Sequence, residues 1–534
     1  MELVSLQFVV FLVVALAAYY TAGRLAPTRQ WWVLLASSLA FLFMAGGASA
    51  LFFVAVVALI TWVGANVVTS IEDKGAAARK DATGRDEKKR VRALWQRRKR
   101  IAFWSFLAIA FAILFYFKYW NVLLYYLRIA PGFNSLGIVL PLGLSFYLFQ
   151  SVAYLIDAYN QKIEPERNFL RYLTFVSWFP QMIQGPINRF AHTAPQLLAP
   201  HRLDAAAFER GLLRVGLGII KKVAVANVLA NVVTCVFQTA AGPDMPGSLA
   251  LFGVLVYSIQ MYGDFSGGID IVEGASELFG IEMAPNFAQP YFSSSLAEFW
   301  RRWHMSLGAW MRDYVFYPLA VTKASKRLGK WAKAHGGRHA KHLGRTIPAC
   351  VANILVFLFV GLWHGAEAHY VVWGLYNGVV VALSDLLSPV FDRMVATCHV
   401  RRESRGFRLF AILRTFAVVC IGRFFDCFAH VGDALTALAH VFDPATYAPL
   451  VESLARFGAT YASSYGFPAP TLIACVVVFA IDVAYERGRD VRADVAALRP
   501  LPKALLVCAL TILVAASASL DTTQGGGGFL YANF

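Results

Sequence analysis

Residues 347–364 read IPACVANILVFLFVGLWH, an uncharged apolar run that ends in a histidine. About 18 apolar residues are enough for a helix to cross the hydrocarbon core of a bilayer. Further runs of this kind precede and follow it, and 58% of all residues are hydrophobic, whereas soluble domains contain about 45–50%. The sequence therefore predicts an all-α polytopic integral membrane protein, one membrane domain over residues 1–534 with about 11–12 transmembrane helices.

The predicted spans form an N-terminal group (1–130), a central core (140–378) and a C-terminal group (388–534). They lie at Val4–Tyr20, Trp31–Met44, Ala50–Val68, Ile101–Trp120, Leu140–Asp157, Leu217–Phe237, Ser248–Tyr262, Ile347–Trp363, Tyr370–Leu386, Phe407–Phe425, Ala469–Val483 and Lys503–Ala516. Lys and Arg collect in cytoplasmic loops, so the basic loop 72–100 is expected inside. The loop that holds Arg24 and Arg29 is then inside as well, because two spans separate the loops. The N-terminus is therefore expected outside. Lys221 and Lys222 are expected to mark an inner end of the span Leu217–Phe237.

Charge and cysteine spacing argue against a nucleic-acid partner and against a metal site. The net charge of +17 would suggest a polyanionic partner in a soluble protein. Here the basic residues cluster between apolar runs, where they indicate topology, and we expect no nucleic-acid partner. The seven cysteines are scattered without CxxC or Cys/His ligand spacing, so no metal site is predicted.

Two polar segments interrupt the apolar pattern. Pro180–Pro186, which contains Gln184, is too polar and too rich in proline for a regular lipid-facing helix. Such backbone must be enclosed by protein or line a cavity. Tyr262–Asp270 places two carboxylates beside glycines; it is either the capped start of a helix, with Asp264 or Ser266 as the cap, or an enclosed polar floor near a site.

His364 ends an apolar helix that rises from the basic segment Thr322–Arg345. At ~1.5 Å per residue the helix carries His364 roughly 25 Å across the bilayer. The ring would then face the outer half of the membrane or a cavity cut into it. Ionisable side chains at such positions are usually functional, although a histidine satisfied by a backbone carbonyl is the structural alternative.

Residues 298–314, EFWRRWHMSLGAWMRDY, form an aromatic and basic segment typical of an interfacial helix. A continuous helix would place Trp300 and His304 on one face, and Trp303 and Trp310 together on another. Taken alone, His304 is more often an interfacial histidine than a catalyst.

Five blocks occur in the order found in the membrane-bound O-acyltransferase family, and the chain resembles the bacterial branch that serves alginate O-acetylation and teichoic acid D-alanylation. The blocks are Leu140–Gln150, Phe179–Ile187, Tyr262–Asp270, Glu298–Pro318 and Gly361–Gly378. Pro285-Asn286-Phe287 and the terminal Gly528–Phe534 extend the resemblance.

The resemblance implies a ring of helices around a thin central floor, crossed by a tunnel. In it a cytoplasmic acyl donor meets an acceptor hydroxyl supplied from outside. The catalytic histidine of the family corresponds to His364, and the second family position to His304. No bound cofactor is implied; the donor is an acyl thioester, either acyl-CoA or a phosphopantetheine carrier protein. The location implied is the plasma membrane of a bacterium.

The residues suit this chemistry. An alcohol with a pKa near that of water, ~16, is a poor nucleophile at neutral pH, and neutral imidazole can take its proton during attack. We expect His364 to be this base, and His304 to orient the ring or the donor or to stabilise the developing oxyanion. No GxSxG elbow is present, which favours direct transfer. The residues expected to line the tunnel or support the histidines are Trp300, Trp303, Asp313, Arg312, Trp363, Asn377, Gln184, Asp264 and Ser266.

Three functions stay open at this point. The first is transfer of an acyl group, acetyl by preference, to an extracytoplasmic polysaccharide or cell-wall polymer. The second is D-alanyl transfer from a carrier protein to teichoic acid. The third is a transporter or flippase of acylated lipid or glycan, with His364 as a proton relay. Expected partners are membrane lipid, an acidic acyl carrier protein at the basic segment Thr322–Arg345, and an extracytoplasmic hydrolase-like protein that completes the transfer.

Overall fold

A computed structural model describes residues 3–129, 132, 136–240, 245–447, 455, 458, 459, 461 and 468–520. The regular secondary structure of these residues is helical apart from one isolated bridge between Phe287 and Trp303, and turns and irregular segments join the helices. The prediction of an all-α polytopic membrane protein is confirmed. The ring, the floor and the tunnel stay predictions, and the terminal block Gly528–Phe534 lies outside the described residues.

The chain divides into two compact units: Met1–Val215 with Ile271–Ala284, and Gly216–Asp270 with Pro285–Phe534. The helices of the first unit are α1 (Leu6–Leu25), α2 (Trp31–Asp81), α3 (Arg85–Tyr126), α4 (Leu144–Tyr159), α5 (Phe169–Ser177), α6 (Phe190–Leu198) and most of α7 (Ala205–Ile219). Gly47 has a non-helical backbone (φ 68°, ψ −165°) that divides α2 into two arms. These arms correspond to two of the predicted spans.

The interior of the first unit is built on aromatic rings and an enclosed polar turn. Phe179 packs against Phe11, with ring centroids 5.1 Å apart, and against Phe41 at 5.5 Å. Gly143 starts α4 with φ 70°, and a Cβ there would collide with the carbonyl of Met182. Gln184 is fully buried. The polar, proline-rich segment is therefore enclosed by protein, as predicted.

The second unit begins within one long helical stretch and ends at the last described helix. Its elements after α7 are the π-helix Ile220–Asn227, α8 (Val228–Ala240), α9 (Gly247–Glu277, which ends in the first unit), α10 (Leu296–Arg302), α11 (Met305–Met311), the π-helix Arg312–Phe316, α12 (Tyr317–Ala320), α13 (Lys323–His335), α14 (Ala340–His364), α15 (Ala368–Leu386), α16 (Ser388–Thr397), α17 (Arg405–Cys427), α18 (Val431–Phe442), α19 (Ala469–Glu486), α20 (Val491–Ala496) and α21 (Pro500–Ala518).

Among the described residues, eight helices are long and apolar enough to cross a membrane, or nine if the bent pair α15–α16 is one span. The predicted count of about 11–12 is larger for three reasons. Helix α2 holds two predicted spans, α4 has only 16 residues, and α17 carries several arginines. The predicted number of spans and the number of long apolar helices therefore differ because of the lengths of α2 and α4 and the charges of α17.

Two lysines near the start of the second unit correct the topology prediction for one region. Lys221 and Lys222 do not mark the end of a span, because they lie buried within a helix. Lys222 Nζ pairs with Asp264 at 2.6 Å, and Lys221 Nζ pairs with Asp270 at 2.8 Å. Buried charges are tolerated when they are paired in this way.

The interpretation of Tyr262–Asp270 as a capped helix start is wrong, because the segment lies inside α9. Asp264 and Ser266 are each at most 2% exposed. The structure therefore agrees with the alternative that this segment is enclosed and polar.

Candidate active site

The α14–α15 hairpin places His364, and small residues allow the two helices to approach closely. A Cβ on Gly361 would collide with the carbonyl of Tyr370. A Cβ on Gly374 would lie 2.5 Å from the carbonyl oxygen of Phe357. Membrane helices commonly use glycine in this way to bring their backbones together. The close contact fixes the end of α14 against the start of α15.

The ring of His364 lies in an aromatic enclosure formed by this hairpin. Its centroid is 5.0 Å from Trp363, 5.3 Å from Trp373 in an edge arrangement, and 6.1 Å from Tyr370 in a stacked one. Only 8% of His364 is exposed. As predicted, the apolar helix ends at this histidine. Three aromatic rings therefore surround the imidazole at the end of α14.

His304 occupies a sharp turn, so the predicted continuous helix over residues 298–314 is wrong. Helix α10 ends at Arg302, Trp303 is extended, and His304 adopts a left-handed conformation (φ 49°, ψ 52°) before α11. The backbone is diverted by residues 286–288: Ala288 N donates to Arg302 O at 3.0 Å, and Met305 N donates to Asn286 O at 2.9 Å. Left-handed residues other than glycine are strained and cluster at functional sites.

Asn286 fixes both the orientation and the tautomer of His304. Its Oδ1 accepts from Ser306 N at 3.1 Å and from Ser306 Oγ at 2.8 Å, and lies 3.0 Å from His304 Nδ1. A backbone N–H can only donate, so the shared atom is an acceptor and Nδ1 of His304 carries the proton. Nε2 then presents its lone pair.

The protonation state of His304 follows from its surroundings. Burial lowers the pKa of His304 to about 3, since a charged ring is disfavoured away from water. The ring of Phe265 meets it edge-on, with centroids 4.8 Å apart. The imidazole is therefore neutral at pH 7, and in this tautomer its Nε2 can accept a hydrogen bond but cannot donate one. It does not supply the donor that an oxyanion needs.

The structure brings the two predicted histidines together through Trp363. The ring centroids of His304 and Trp363 are 6.5 Å apart, and those of Trp363 and His364 are 5.0 Å apart. Trp300 joins the same cluster, because its Nε1 donates to Asn377 Oδ1 at 3.2 Å and its ring packs on that of Trp373. We name His304, Trp363, His364, Trp300, Trp373 and Asn377 the histidine cluster.

The remaining predicted residues fall into different settings. Arg312 and Asp313 form an ion pair of 2.9 Å on a π-helix, with 58% of the Arg312 side chain exposed. Asp264 and Ser266 flank Phe265, whose ring contacts His304. Trp303 stacks on Phe299 and lies below Arg423. Gln184 belongs to the first unit.

Sequence reasoning missed several neighbours of the histidines. Asn286 lies in the quoted Pro285-Asn286-Phe287 block, which was the available signal. Tyr370 and Trp373 lie within the Gly361–Gly378 block. Arg423 lies on α17, outside every block, and no local pattern identified it.

Comparisons with known proteins agree with this reading. Residues 160–333 match the model of MBOAT, the membrane-bound O-acyltransferase family. The chain is 34% identical over 321 residues to a probable alginate O-acetylase AlgI of Pseudomonas syringae pv. tomato, covering 58% of this chain and 54% of that protein. It is 32% identical over 302 residues to a peptidoglycan O-acetyltransferase of Helicobacter pylori, covering 51% and 53%.

A third relative is a teichoic acid D-alanyltransferase of Bacillus subtilis, 26% identical over 284 residues, covering 53% of this chain and 67% of that protein. The chain spans about half the length of the first two relatives. The family predicted from the ordered blocks is confirmed: residues 160–333 match the membrane-bound O-acyltransferase family.

Proposed function

We propose that this chain is an integral-membrane O-acyltransferase of the bacterial plasma membrane. It moves an acyl group from a cytoplasmic thioester to a hydroxyl of an extracytoplasmic polysaccharide or cell-wall polymer. The observation that carries this proposal is the histidine cluster, in which two buried imidazoles flank one indole ring. Acetyl is the preferred group, because the relatives that share 32–34% identity carry O-acetylase or O-acetyltransferase names.

His364 acts as the general base in this proposal. Its neutral imidazole takes the proton of the acceptor hydroxyl while the oxygen attacks the thioester carbonyl. The carbon–oxygen bond forms and the carbon–sulfur bond breaks. The thiolate leaves and recovers the proton from the imidazolium. No covalent acyl-enzyme is needed, since acceptor and donor react directly.

His304 holds the acceptor rather than the oxyanion. With its proton on Nδ1, the Nε2 lone pair accepts a hydrogen bond from a second hydroxyl of the acceptor. Carbohydrates offer such neighbouring hydroxyl groups, so one hydroxyl is held at His304 and the other reacts at His364. This division of roles favours a polyol acceptor over a simple alcohol.

The exposed face of helix α13 suits the binding of the acyl donor. The packed residues of this helix include Ala332, whereas Trp331 is 56% exposed. The exposed face also carries Lys323, Lys326, Lys330 and Lys333. Such a face attracts anionic lipid and would also bind an acidic carrier protein. D-alanyl transfer from a carrier is the alternative reaction, and a secreted hydrolase-like protein completing the transfer is the alternative route.

The test uses a deletion strain complemented with wild type, His364→Ala or His304→Ala. Ester-linked groups are released from wall and secreted polymers by mild base and identified, and membrane abundance is matched. His192→Ala, at an exposed histidine of α6, is the control. Wild type and the control are expected to restore an ester that His364→Ala does not.

The released acid then distinguishes acetyl from D-alanyl transfer. Full restoration by His364→Ala would remove the base assignment. Movement of substrate across the membrane by His364→Ala without any ester formed by wild type would favour a transporter or flippase.

A further inference from the structure

Arg423 on α17 is a buried cation that the reaction described above does not use. Only 5% of Arg423 is exposed. Its Nη1 donates to Asp426 Oδ2 at 2.9 Å. Its Nε and Nη2 are buried without a hydrogen-bond partner among the described residues. A buried donor left unpaired is unfavourable, and more so when it belongs to a charged group, so this arrangement requires a reason.

The guanidinium lies against the aromatic residue that precedes His304 in the chain. Its carbon is 4.8 Å from the ring centroid of Trp303, the residue before His304. The hydroxyl of Tyr291 also faces the guanidinium, and its proton is committed to Ser258 O at 2.6 Å. Aromatic rings thus hold the cation, while Asp426 anchors one of its nitrogens.

The unpaired nitrogens identify the kind of ligand. Nε and Nη2 form one edge of the planar guanidinium, which presents two parallel donors. This edge matches the two oxygens of a carboxylate or phosphate in a bidentate contact. Asp426 already balances the charge of Arg423, so a ligand of charge −1 is favoured over a dianion. A carboxylate and a phosphodiester both satisfy these conditions.

We propose that Arg423 binds a singly charged oxyanion of the acceptor polymer through Nε and Nη2. The arginine is then a specificity-determining residue that selects acidic acceptors and holds them beside His304. This inference rests on the proposed acyltransferase function and adds the charge of its acceptor. Its test is a binding measurement without an acyl donor, so that failure of transfer and failure of binding are separate results.

The probes are a uronate trisaccharide, its uncharged methyl ester and a phosphodiester-linked glycerol phosphate trimer. Their dissociation constants are measured calorimetrically for the full chain in nanodiscs of neutral lipid. Wild type is expected to bind at least one of the two charged probes about tenfold or more tightly than the ester. Arg423→Gln is expected to abolish that preference, and Arg423→Lys to retain part of it, because lysine is a point charge without the bidentate edge.

Arg414→Gln is the matched control, since Arg414 is an exposed arginine of the same helix. It should keep the wild-type preference. Loss of preference for the uronate identifies a carboxylate ligand, and loss for the trimer identifies a phosphodiester ligand. An unchanged ratio in Arg423→Gln, or the absence of any preference in wild type, would overturn the proposal.

A second variant covers the case in which Arg423→Gln fails to fold. Asp426→Asn keeps the arginine and removes the balancing charge. It is expected to tighten binding of the charged probe severalfold and to leave the methyl ester unchanged. Equal or weaker binding of the charged probe by a folded Asp426→Asn protein would contradict the assignment.

Discussion

The two histidines of the cluster are held by different forces. His304 sits in a left-handed turn, where a hydrogen bond to Asn286 fixes its ring and its tautomer. His364 sits at the end of a long helix, where aromatic rings and a glycine contact fix its position. The hydrogen bond to Asn286 sets the tautomer of His304, whereas the aromatic rings and the glycine contact set the position of His364. The first suits a residue that orients the acceptor, and the second suits a base.

The sharpest test of this difference compares His364→Asn with His304→Asn in purified protein. His364→Asn removes the proton acceptor and is expected to lower kcat about 10²–10⁴-fold, the range for loss of a general base. His304→Asn keeps a polar side chain and is expected to act mainly through a higher KM for the acceptor. Initial rates of transfer from a thioester to an oligosaccharide separate the two. A larger loss of kcat in His304→Asn would exchange the assigned roles.

Asn286→Leu tests whether hydrogen bonds hold His304. The substitution strands the N–H and hydroxyl of Ser306 and the Nδ1–H of His304. Each buried donor left unpaired costs about 1–3 kcal/mol, so thermal unfolding is expected at a clearly lower temperature. Activity is expected to fall roughly tenfold or more, as when a group that orients a functional histidine is removed.

Asn377→Leu is the comparison on the other side of the cluster. Asn377 accepts one hydrogen bond from Trp300, and its amide donates to Trp373 O. Because Asn377 bonds two tryptophans of the cluster, whereas Asn286 bonds a histidine directly, this variant is expected to lose less activity than Asn286→Leu. Equal losses in both variants would mean that Asn377 supports the reaction as strongly as Asn286 does.

The difference between the histidines also explains what the sequence could predict. His364 was identified from a local pattern, an apolar run of spanning length that ends in an ionisable residue. The turn at His304 was not, because every residue from 298 to 314 is compatible with one helix. The bridge between Phe287 and Trp303 decides otherwise, and a contact across 16 positions leaves no periodic signal.

Charge patterns failed for the same reason at Lys221 and Lys222. A basic pair beside an apolar run indicates a cytoplasmic end, but their partners Asp264 and Asp270 lie 42 and 49 residues further along the chain. The opposite holds for Gln184, where local polarity and proline were enough to predict enclosure. Structural features that depend on neighbouring residues in the sequence could be predicted, and features that depend on pairing between distant residues could not.

The pH dependence of stability gives a smaller effect that reports on His304 alone. Burial lowers the pKa of His304 to about 3, so between pH 6.5 and 3 the unfolded chain binds a proton that the folded protein does not. The neutral ring of His304 therefore makes its full contribution to the free energy of unfolding above about pH 6.5, and this contribution declines as pH falls. The slope approaches ~1.4 kcal/mol per pH unit.

Thermal unfolding of wild type and His304→Asn between pH 7.5 and 5 measures this pH-dependent contribution of His304 to stability. The wild type is expected to lose more stability on acidification than the variant. An identical loss of stability in the two proteins would show that His304 titrates normally.

The smallest effect is expected at Arg312, which the sequence grouped with the site. Its guanidinium pairs with Asp313, and 58% of its side chain is exposed. Exposed pairs contribute about 0–1 kcal/mol, so Arg312→Gln is expected to change stability by less than ~1 kcal/mol and transfer rate by less than about twofold. Arg302, which pairs with Glu298 and Glu486 and has 25% of its side chain exposed, is the less exposed comparison. An exposed ion pair is not expected to contact the reacting groups. A large loss of kcat in a stable Arg312→Gln protein would therefore show that the active site extends beyond the histidine cluster.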